Sequence, residues 1–151
     1  VMSFILYYIA SYFITDVVFY TGHRLMHTKY LYKYHKKHHE VKNPVSIATL
    51  YMNPVDLYVS NLSPIAISTL LLNLNIITIQ ILVIIQICFS VWFAHGGYKQ
   101  ISMDHNIHHT LFNYNYGLGG FKINMDKLFK TEYIEPLINI VDSPHIRKRH
   151  L

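Results

Sequence analysis

The chain has 151 residues, of which 52% are hydrophobic and 14% are charged, with a formal net charge of +5. A soluble domain carries about 25% charged residues, so this composition excludes a disordered or highly solvated chain and favours a membrane protein of one domain. The single cysteine, Cys88, excludes an internal disulfide framework and a thiolate metal cage. Histidine is unusually abundant, at 11 positions, and directs the search for function.

The first predicted element is a membrane-spanning helix that begins at Val1, stays apolar to about Tyr20 and ends near residue 27. A helix needs about 20 apolar residues to cross a bilayer core, and Asp16 is the one charge before Tyr20. The stretch lacks the basic start and the small-residue cleavage site of a secretory signal, so we predict a retained span. Because the chain opens with Val1 rather than methionine, we also expect a missing leading segment.

A second apolar stretch, over residues 57–94, follows a polar segment over residues 28–56 and is predicted to form a membrane hairpin. Asn73-Leu74-Asn75 divides the hairpin. Its second half, from Ile76 to Ala94, is the more convincing helix. Its first half is expected to be tilted, kinked or re-entrant because it contains Ser60, Asn61, Ser63 and Pro64. A buried hairpin in a soluble helical protein is the alternative.

Lysine and arginine residues predict the orientation of these spans. They are concentrated in the 28–56 segment and after Ala94, and none lies in the turn at residues 73–75. By the positive-inside rule, the 28–56 segment and residues 95–151 face the cytosol. The basic residues do not indicate a nucleic-acid partner, because they do not share one face with base-stacking aromatics. The predicted fold is an all-α integral membrane helical bundle, a single domain over residues 1–151 with a cytosolic, histidine-rich helical cap.

Nine of the eleven histidines fall into four groups at the predicted cytosolic ends of the spans. Spacings of three and four residues place the imidazoles of a group on one face of a helix. Packing so many unliganded imidazoles together would cost desolvation, which a bound metal would offset, and nine ligands exceed the four of a closed zinc site. We therefore predict two metal ions bound by His23, His27, His35, His38, His39, His95, His105, His108 and His109.

The identity of the metal is not fixed by imidazole ligands, which suit iron, zinc, copper and nickel. The segment from His35 to His39 contains no glutamate and so lacks the signature of a zinc hydrolase. Two iron ions and oxygen chemistry are the favoured prediction, and zinc is a possible occupant in a purified sample. Asp16 and Asp104 are candidates to orient the ligating imidazoles through hydrogen bonds. Alternatively, Asp16 pairs with a helix of the missing leading segment.

The histidine motifs resemble those of the fatty acid hydroxylase/sterol desaturase superfamily. The segment from His23 to His27 resembles its HxxxH box, and the segments His35–His39 and His105–His109 resemble its two HxxHH boxes. Further similarity lies in His95-Gly96-Gly97-Tyr98 and in the run from Phe112 to Gly117, so that the resemblance covers about residues 12–131. It implies a helical endoplasmic-reticulum membrane enzyme with a cytosolic di-iron site. Such enzymes use O2 and two electrons, commonly from cytochrome b5, to hydroxylate or desaturate a sterol or fatty acyl chain.

The chain departs from the pattern of the superfamily at three places. Many relatives have histidine where Asn53 stands, so Asn53 is expected to remove one ligand or to hold a metal-bound water. The spacer of nine residues between His95 and His105 is shorter than usual. The closing Asp-x-Leu-x-Gly-Thr element begins at Asp126 and has Lys130 in place of its glycine.

The substrate of such an enzyme is expected in a groove lined by the span ends, near Tyr20, Trp92 and Phe93. Lysines of the 28–56 segment would attract an acidic electron donor, although topology alone explains them equally well. Two other functions stay open at this point. One is a non-catalytic metal-binding membrane protein, a degenerate relative of the enzymes, and the other is a zinc-dependent membrane hydrolase.

Overall fold

The computed structural model describes residues 2–42, 44–95, 103–119 and 122–134, and every regular element within these ranges is helical. The prediction of an all-α membrane bundle is confirmed. Within the described ranges, Phe4–Met26 is long and apolar enough to cross a membrane, whereas the apolar helix Ile76–Trp92 is shorter.

Helix α1 (Met2–Met26) continues past the apolar stretch that ends at Tyr20, which places His23 on its last turn. It packs along the first half of the hairpin. The hydroxyl of Ser11 donates to the hydroxyl of Ser68 over 3.3 Å. A Cβ atom at Gly22 would lie 3.2 Å from the carbonyl oxygen of Val59, so the missing side chain permits the close approach of the two helices.

The first half of the hairpin is one continuous helical run with a wider turn inside it. Helix α3 (Pro54–Asp56) leads into a π-helical turn (Leu57–Leu62), which leads into α4 (Ser63–Leu71). The turn after α4 uses Asn73 with a φ of 47°, a left-handed conformation that asparagine tolerates. The irregularity expected in the first half is therefore a π turn, which widens the helix and redirects its side chains.

The second half of the hairpin, helix α5 (Ile76–Phe89), has the same construction. Asn75 caps its start, since the Asn75 side chain accepts a hydrogen bond from the amide of Thr78 over 3.0 Å. The helix continues into a second π-helical turn (Ser90–Ala94), directly before His95. Both halves of the hairpin thus have a π turn near the histidines.

Short helical elements cover this end of the bundle. They are α2 (Tyr32–His35), two 3-10 turns (His38–Glu40 and Ser46–Leu50), α6 (Met103–Leu111) and α7 (Met125–Leu128). The segment after α6 folds back along α1: the hydroxyl of Tyr12 donates to the carbonyl of Gly119, and the hydroxyls of Tyr20 and Thr131 lie 3.1 Å apart. One face of α1 is therefore covered by residues 112–119 and 122–131, called the carboxyl-terminal segment below, rather than by another long helix.

Candidate metal centre

Nine imidazoles meet at this covered end of the bundle, in two groups. Within each group the nitrogen atoms available to a metal lie within 4.8 Å of one another. The five-histidine group contains His23, His27, His35, His39 and His108, and the four-histidine group contains His38, His95, His105 and His109. All of them except His27 are buried. The structure therefore brings together every histidine for which the sequence predicts a metal, and the binding itself stays a prediction.

The Nε2 atoms are separated by the distances expected between neighbouring ligands of one ion. The Nε2 atoms of His23 and His35 lie 3.0 Å apart, and those of His38 and His109 lie 3.1 Å apart. With metal–nitrogen bonds of about 2.1 Å, neighbouring ligands are about 3.0 Å apart in octahedral and about 3.4 Å apart in tetrahedral geometry. Both groups are therefore spaced to surround an ion.

The hydrogen bonds of His23 and His35 also indicate a metal ion, because they determine which ring nitrogen carries the proton. Nδ1 of His23 lies 2.7 Å from the carbonyl oxygen of Tyr116, and Nδ1 of His35 lies 2.7 Å from Oδ2 of Asp56. Because both partners accept, each Nδ1 carries the ring proton, and the Nε2 atom of each neutral ring presents a lone pair. Two lone pairs that face each other over 3.0 Å repel unless a cation lies between them. The donor set thus fits a metal ion.

Further Nδ1 atoms are held by backbone carbonyls in the same way, which leaves Nε2 free for a metal. The three contacts are 2.7 Å from His108 to Tyr114, 3.0 Å from His109 to Val41 and 3.1 Å from His95 to Ser90. Among the described residues, Nε2 of His95 is buried without a hydrogen-bond partner. A buried nitrogen without a partner is costly, and an ion in the four-histidine group would supply that partner.

Burial favours the neutral form of several of these imidazoles, which is the form that binds metal. It lowers the pKa of His109 to about 3, with the neighbouring His95 imidazole as the second cause. The same two effects lower the pKa of four further rings, namely His38, His39, His105 and His108. A neutral ring can give its lone pair to an ion without first losing a proton.

Asp56 contacts a histidine of the centre, although no sequence motif predicts this role for it. Its Oδ2 binds His35, and its Oδ1 accepts from the hydroxyl of Ser60 over 2.7 Å. The expected site residue was Asn53, which instead caps α3, its side chain accepting from the amide of Val55. The helix explains the difference, since Asp56 lies three positions after Asn53, inside the helix, whereas the cap position faces the helix end. A search for buried carboxylates one turn inside that cap would have found Asp56.

Asp16 has a different role from the one expected, because it binds backbone amides and not an imidazole. Its two oxygens accept from the amides of Leu118 and Met125, each over 2.9 Å. These bonds fasten the carboxyl-terminal segment to α1. The expectation that Asp16 orients a ligating ring directly is therefore wrong, although Asp16 holds the segment that contains Tyr116.

A second carboxylate, Asp126, holds the same segment from the other side. It accepts from the amides of Tyr116 and Gly117, each over 2.7 Å. A Cβ atom at Gly117 would lie 2.7 Å from Asp126 and 2.9 Å from Asp16, so the segment needs glycine there. The two carboxylates thus fix the Tyr116 carbonyl against His23. Asp126 was noted in the sequence only as part of the closing element.

Two of the three residues expected near a substrate groove, Tyr20 and Trp92, are absent from the lining of the cavity beside the histidines. Tyr20 is buried against Thr131, and its hydroxyl accepts from the guanidinium of Arg24 over 2.9 Å. Trp92 is 68% exposed. The side chains of Phe93 and Asp104 lie outside the described part of the chain, as do His145 and His150. Neither Tyr20 nor Trp92 lines the cavity beside the histidines, although Val91, next to Trp92, does. A role for Tyr20 and Trp92 in binding substrate stays a prediction.

A cavity of about 220 Å³ adjoins the centre instead. At one end it is lined by five imidazoles from both groups, which are His23, His35, His38, His95 and His105. From there it extends between α1 and the two halves of the hairpin, past Phe19, Ile65, Val83 and Ile87. Both π turns contribute to its wall. The arrangement joins a histidine centre to an apolar channel between the helices.

Comparison with known proteins places the chain in a family. The model of the fatty acid hydroxylase family matches residues 8–131. The chain belongs to this family. It is 36% identical to fatty acid hydroxylase ahd1 of Mycosarcoma maydis, over 77% of this chain and 30% of that protein. It is 32% identical to fatty acid hydroxylase domain-containing protein 2 of Homo sapiens, over 79% of this chain and 36% of that protein.

A third relative of this fatty acid hydroxylase family member is named after a sterol. Methylsterol monooxygenase 2-1 of Arabidopsis thaliana is 35% identical, over 56% of this chain and 31% of that protein. The chain spans about a third of the length of these curated relatives. No solved structure matches it. The comparisons confirm the family that the histidine motifs indicated.

Proposed function

We propose that the chain is the catalytic core of a membrane di-iron oxidoreductase that uses O2 and two electrons to hydroxylate or desaturate a lipid. The observation that supports this most directly is the junction of two imidazole groups with an apolar cavity between helices. An enzyme that oxidises an unactivated C–H bond needs that junction, since its substrate is apolar and its oxidant has to be made on a metal.

Iron, when bound, would supply the activation of O2. His23, His27, His35, His39 and His108 would hold one ion, and His38, His95, His105 and His109 would hold the other. The Tyr116 and Tyr114 carbonyls and Asp56 hold the protons of their histidines on Nδ1 and fix the rings before an ion arrives. Neutral ligands add no negative charge to the site.

The walls of the cavity would orient the lipid and exclude water. Phe19, Leu57 and Ile65 lie along it, and the rings of His38 and His95 close its end. An extended acyl chain or sterol that enters from the bilayer would therefore present a C–H bond to the centre while its other end stays between the helices. Exclusion of water protects the oxidant from side reactions.

The cellular setting is part of the same proposal. We place the protein in the endoplasmic reticulum with the histidines facing the cytosol, where a donor such as cytochrome b5 delivers electrons. We keep residues 1–151 as one domain, with a span over about 1–27, a histidine segment over 28–56, a hairpin over 57–94 and a cap over 95–151. The lysines of the 28–56 segment support a cytosolic side by the positive-inside rule.

The test is to express the full-length protein in a cell with defined lipids and to compare lipid extracts by mass spectrometry. A lipid that gains one oxygen indicates hydroxylation, and one that loses two hydrogens indicates desaturation. The double variant His38→Ala/His39→Ala removes one ligand from each group and should abolish the new lipid.

A matched double variant controls for the loss of histidine itself. His145→Ala/His150→Ala changes the two histidines outside the four groups and should keep the lipid product. If the His38→Ala/His39→Ala protein gave the parent lipid profile while it was expressed equally, the chain would not be the catalyst. Measuring iron and zinc in the purified proteins tests the metal separately from turnover.

A further inference from the structure

A second, smaller cavity of about 20 Å³ lies deeper between the helices and shares three lining residues with the large one. The shared residues are Thr15, Ile65 and Gln86. The small cavity is unusual for the interior of an apolar bundle because six of its ten lining residues carry a hydroxyl group. Besides Thr15 and Gln86 it is lined by Tyr8, Ser11, Ser68 and Thr69.

Thr15 and Gln86 lie at similar depths below the histidines. Thr15, Phe19 and His23 follow one another at four-residue intervals along the cavity side of α1. At 1.5 Å per residue, Thr15 is about 12 Å from His23 along the helix. Gln86 precedes His95 by nine residues along α5 and its π turn, which is about 13.5 Å. Two polar side chains from opposite walls therefore line the channel at similar depths, where the two cavities share their lining.

Neither polar group is satisfied by the protein. Ser11 and Ser68 bind each other, and Ser68 also donates to the carbonyl of Ile65. By contrast, the described residues offer no hydrogen bond to the hydroxyl of Thr15 or to the amide of Gln86, and Thr15 is 5% exposed. Gln86 is partly exposed, so both side chains can offer polar atoms to a group that enters the cavity. Polar residues between spanning helices mark functional pathways.

Resting on the proposed function, we propose that Thr15 and Gln86 form a polar subsite that binds one hydroxyl group of the lipid substrate. The Gln86 amide both donates and accepts, and the Thr15 hydroxyl does the same, so a hydroxyl can use both partners at once. A cavity of about 20 Å³ holds one oxygen-sized group and has no room for a phosphate or a sugar. The substrate class is thus a lipid alcohol, such as a sterol or a long-chain alcohol, without a large headgroup at this end.

The geometry also determines the distance between the bound hydroxyl and the carbon that reacts. At about 12–13.5 Å, the separation corresponds to roughly ten carbon–carbon bonds of an extended chain. The lipid enters with its hydroxyl leading and leaves the reacting carbon beside His38 and His95 at the other end of the cavity.

The test compares binding of 1-hexadecanol and hexadecane to the metal-loaded, full-length protein in detergent, measured by the concentration at which each raises the thermal midpoint. The parent should bind the alcohol about five- to tenfold more tightly than the alkane, which is the value of one buried hydrogen bond. Gln86→Met and Thr15→Val, which keep the side-chain volume, should each reduce that ratio toward one without weakening the alkane.

The matched control is Gln80→Met, which removes a glutamine from the exposed face of the same helix and should keep the parent ratio. It also corrects for the different partition of alcohol and alkane into detergent. If both cavity variants kept the parent ratio, water and not substrate would occupy the subsite and the proposal would be overturned. Because binding is measured without turnover, this outcome is distinct from a failure to find oxidised lipid.

Discussion

The two histidine groups differ in how firmly the protein holds their rings. In the five-histidine group, three Nδ1 atoms have hydrogen bonds of 2.7 Å, and one acceptor is the carboxylate of Asp56. In the four-histidine group, two Nδ1 atoms have bonds of 3.0 and 3.1 Å to carbonyls. The fold therefore holds the first group more firmly, and the second group would gain more of its order from a bound ion.

The two groups also differ in how many of their rings line the cavity. Three of the four rings in the looser group line the cavity, against two of the five in the firmer group. If each group holds one ion, as proposed, the ion with four ligands would lie closer to a substrate in the cavity. An ion with four ligands also keeps coordination positions that a fifth imidazole would fill, and O2 needs such a position.

The largest expected effect comes from removing one ligand from each group in turn. His105→Ala leaves three imidazoles in the looser group and should lose about one metal equivalent per chain after dialysis. His27→Ala leaves four imidazoles, as many as the other group has, and should keep both equivalents with weaker binding. Metal content measured by elemental analysis checks the pair. Equal losses in the two variants would show that the groups do not differ in this way.

The next effect tests the carboxylate that fixes His35. Asp56→Asn keeps the size of the side chain but removes its charge, so the His35 ring becomes a weaker ligand. We expect metal affinity to fall by about 10–100-fold, the usual cost of losing such a partner. The matched variant Asn53→Ala removes the cap of the same helix, which costs about 1 kcal/mol of stability, and should leave metal affinity unchanged. Competition with a chelator measures both, and a larger loss in Asn53→Ala would contradict the structure.

The metal centre was more predictable from the sequence than the parts that hold it in place. Histidine spacing identifies ligands because three- and four-residue intervals put rings on one helical face, and the nine rings do converge. The partners of those rings were missed because most are backbone carbonyls, such as those of Tyr116 and Val41, which no residue type reveals. Asp56 was missed because its contact with His35 joins positions 21 residues apart.

The long helices were predictable for a similar reason, and the cavity was not. Apolar length alone indicates α1, the one helix in the described ranges that is long enough to span. The cavity depends on which faces the two π turns present, and a π turn has no clear signature in sequence. Tyr20 was therefore assigned to the groove although it packs against the carboxyl-terminal segment.

A smaller effect tests the segment that holds His23 in the firmer group. Gly117→Ala would place a Cβ atom 2.7 Å from Asp126 and 2.9 Å from Asp16, which forces the segment away from both carboxylates. We expect a loss of about 1–3 kcal/mol in the free energy of unfolding, measured in denaturant. Gly22→Ala is the matched variant, where the nearest atom is 3.2 Å away, and it should cost less. The reverse order would mean that the segment has room to move.

The smallest effect concerns Lys130, which stands where the family has glycine and which ends α7. Its φ of 56° is left-handed, and the amides of Lys130 and Thr131 bond back to the carbonyls of Lys127 and Asp126 over 3.3 and 2.8 Å, the pattern of a Schellman motif. A lysine in this conformation is strained by about 1–2 kcal/mol. Glycine would relieve that strain, but it loses more conformational entropy on folding, which offsets part of the gain. Lys130→Gly should therefore raise the free energy of unfolding by about 0.5–1 kcal/mol, whereas Lys127→Gly, inside the same helix, should lower it.

Because α7 contains Asp126, the stabilised variant should also hold the Tyr116 carbonyl against His23 more firmly. A gain in metal affinity in the five-histidine group, with none in the four-histidine group, is the result that the comparison of the two groups requires.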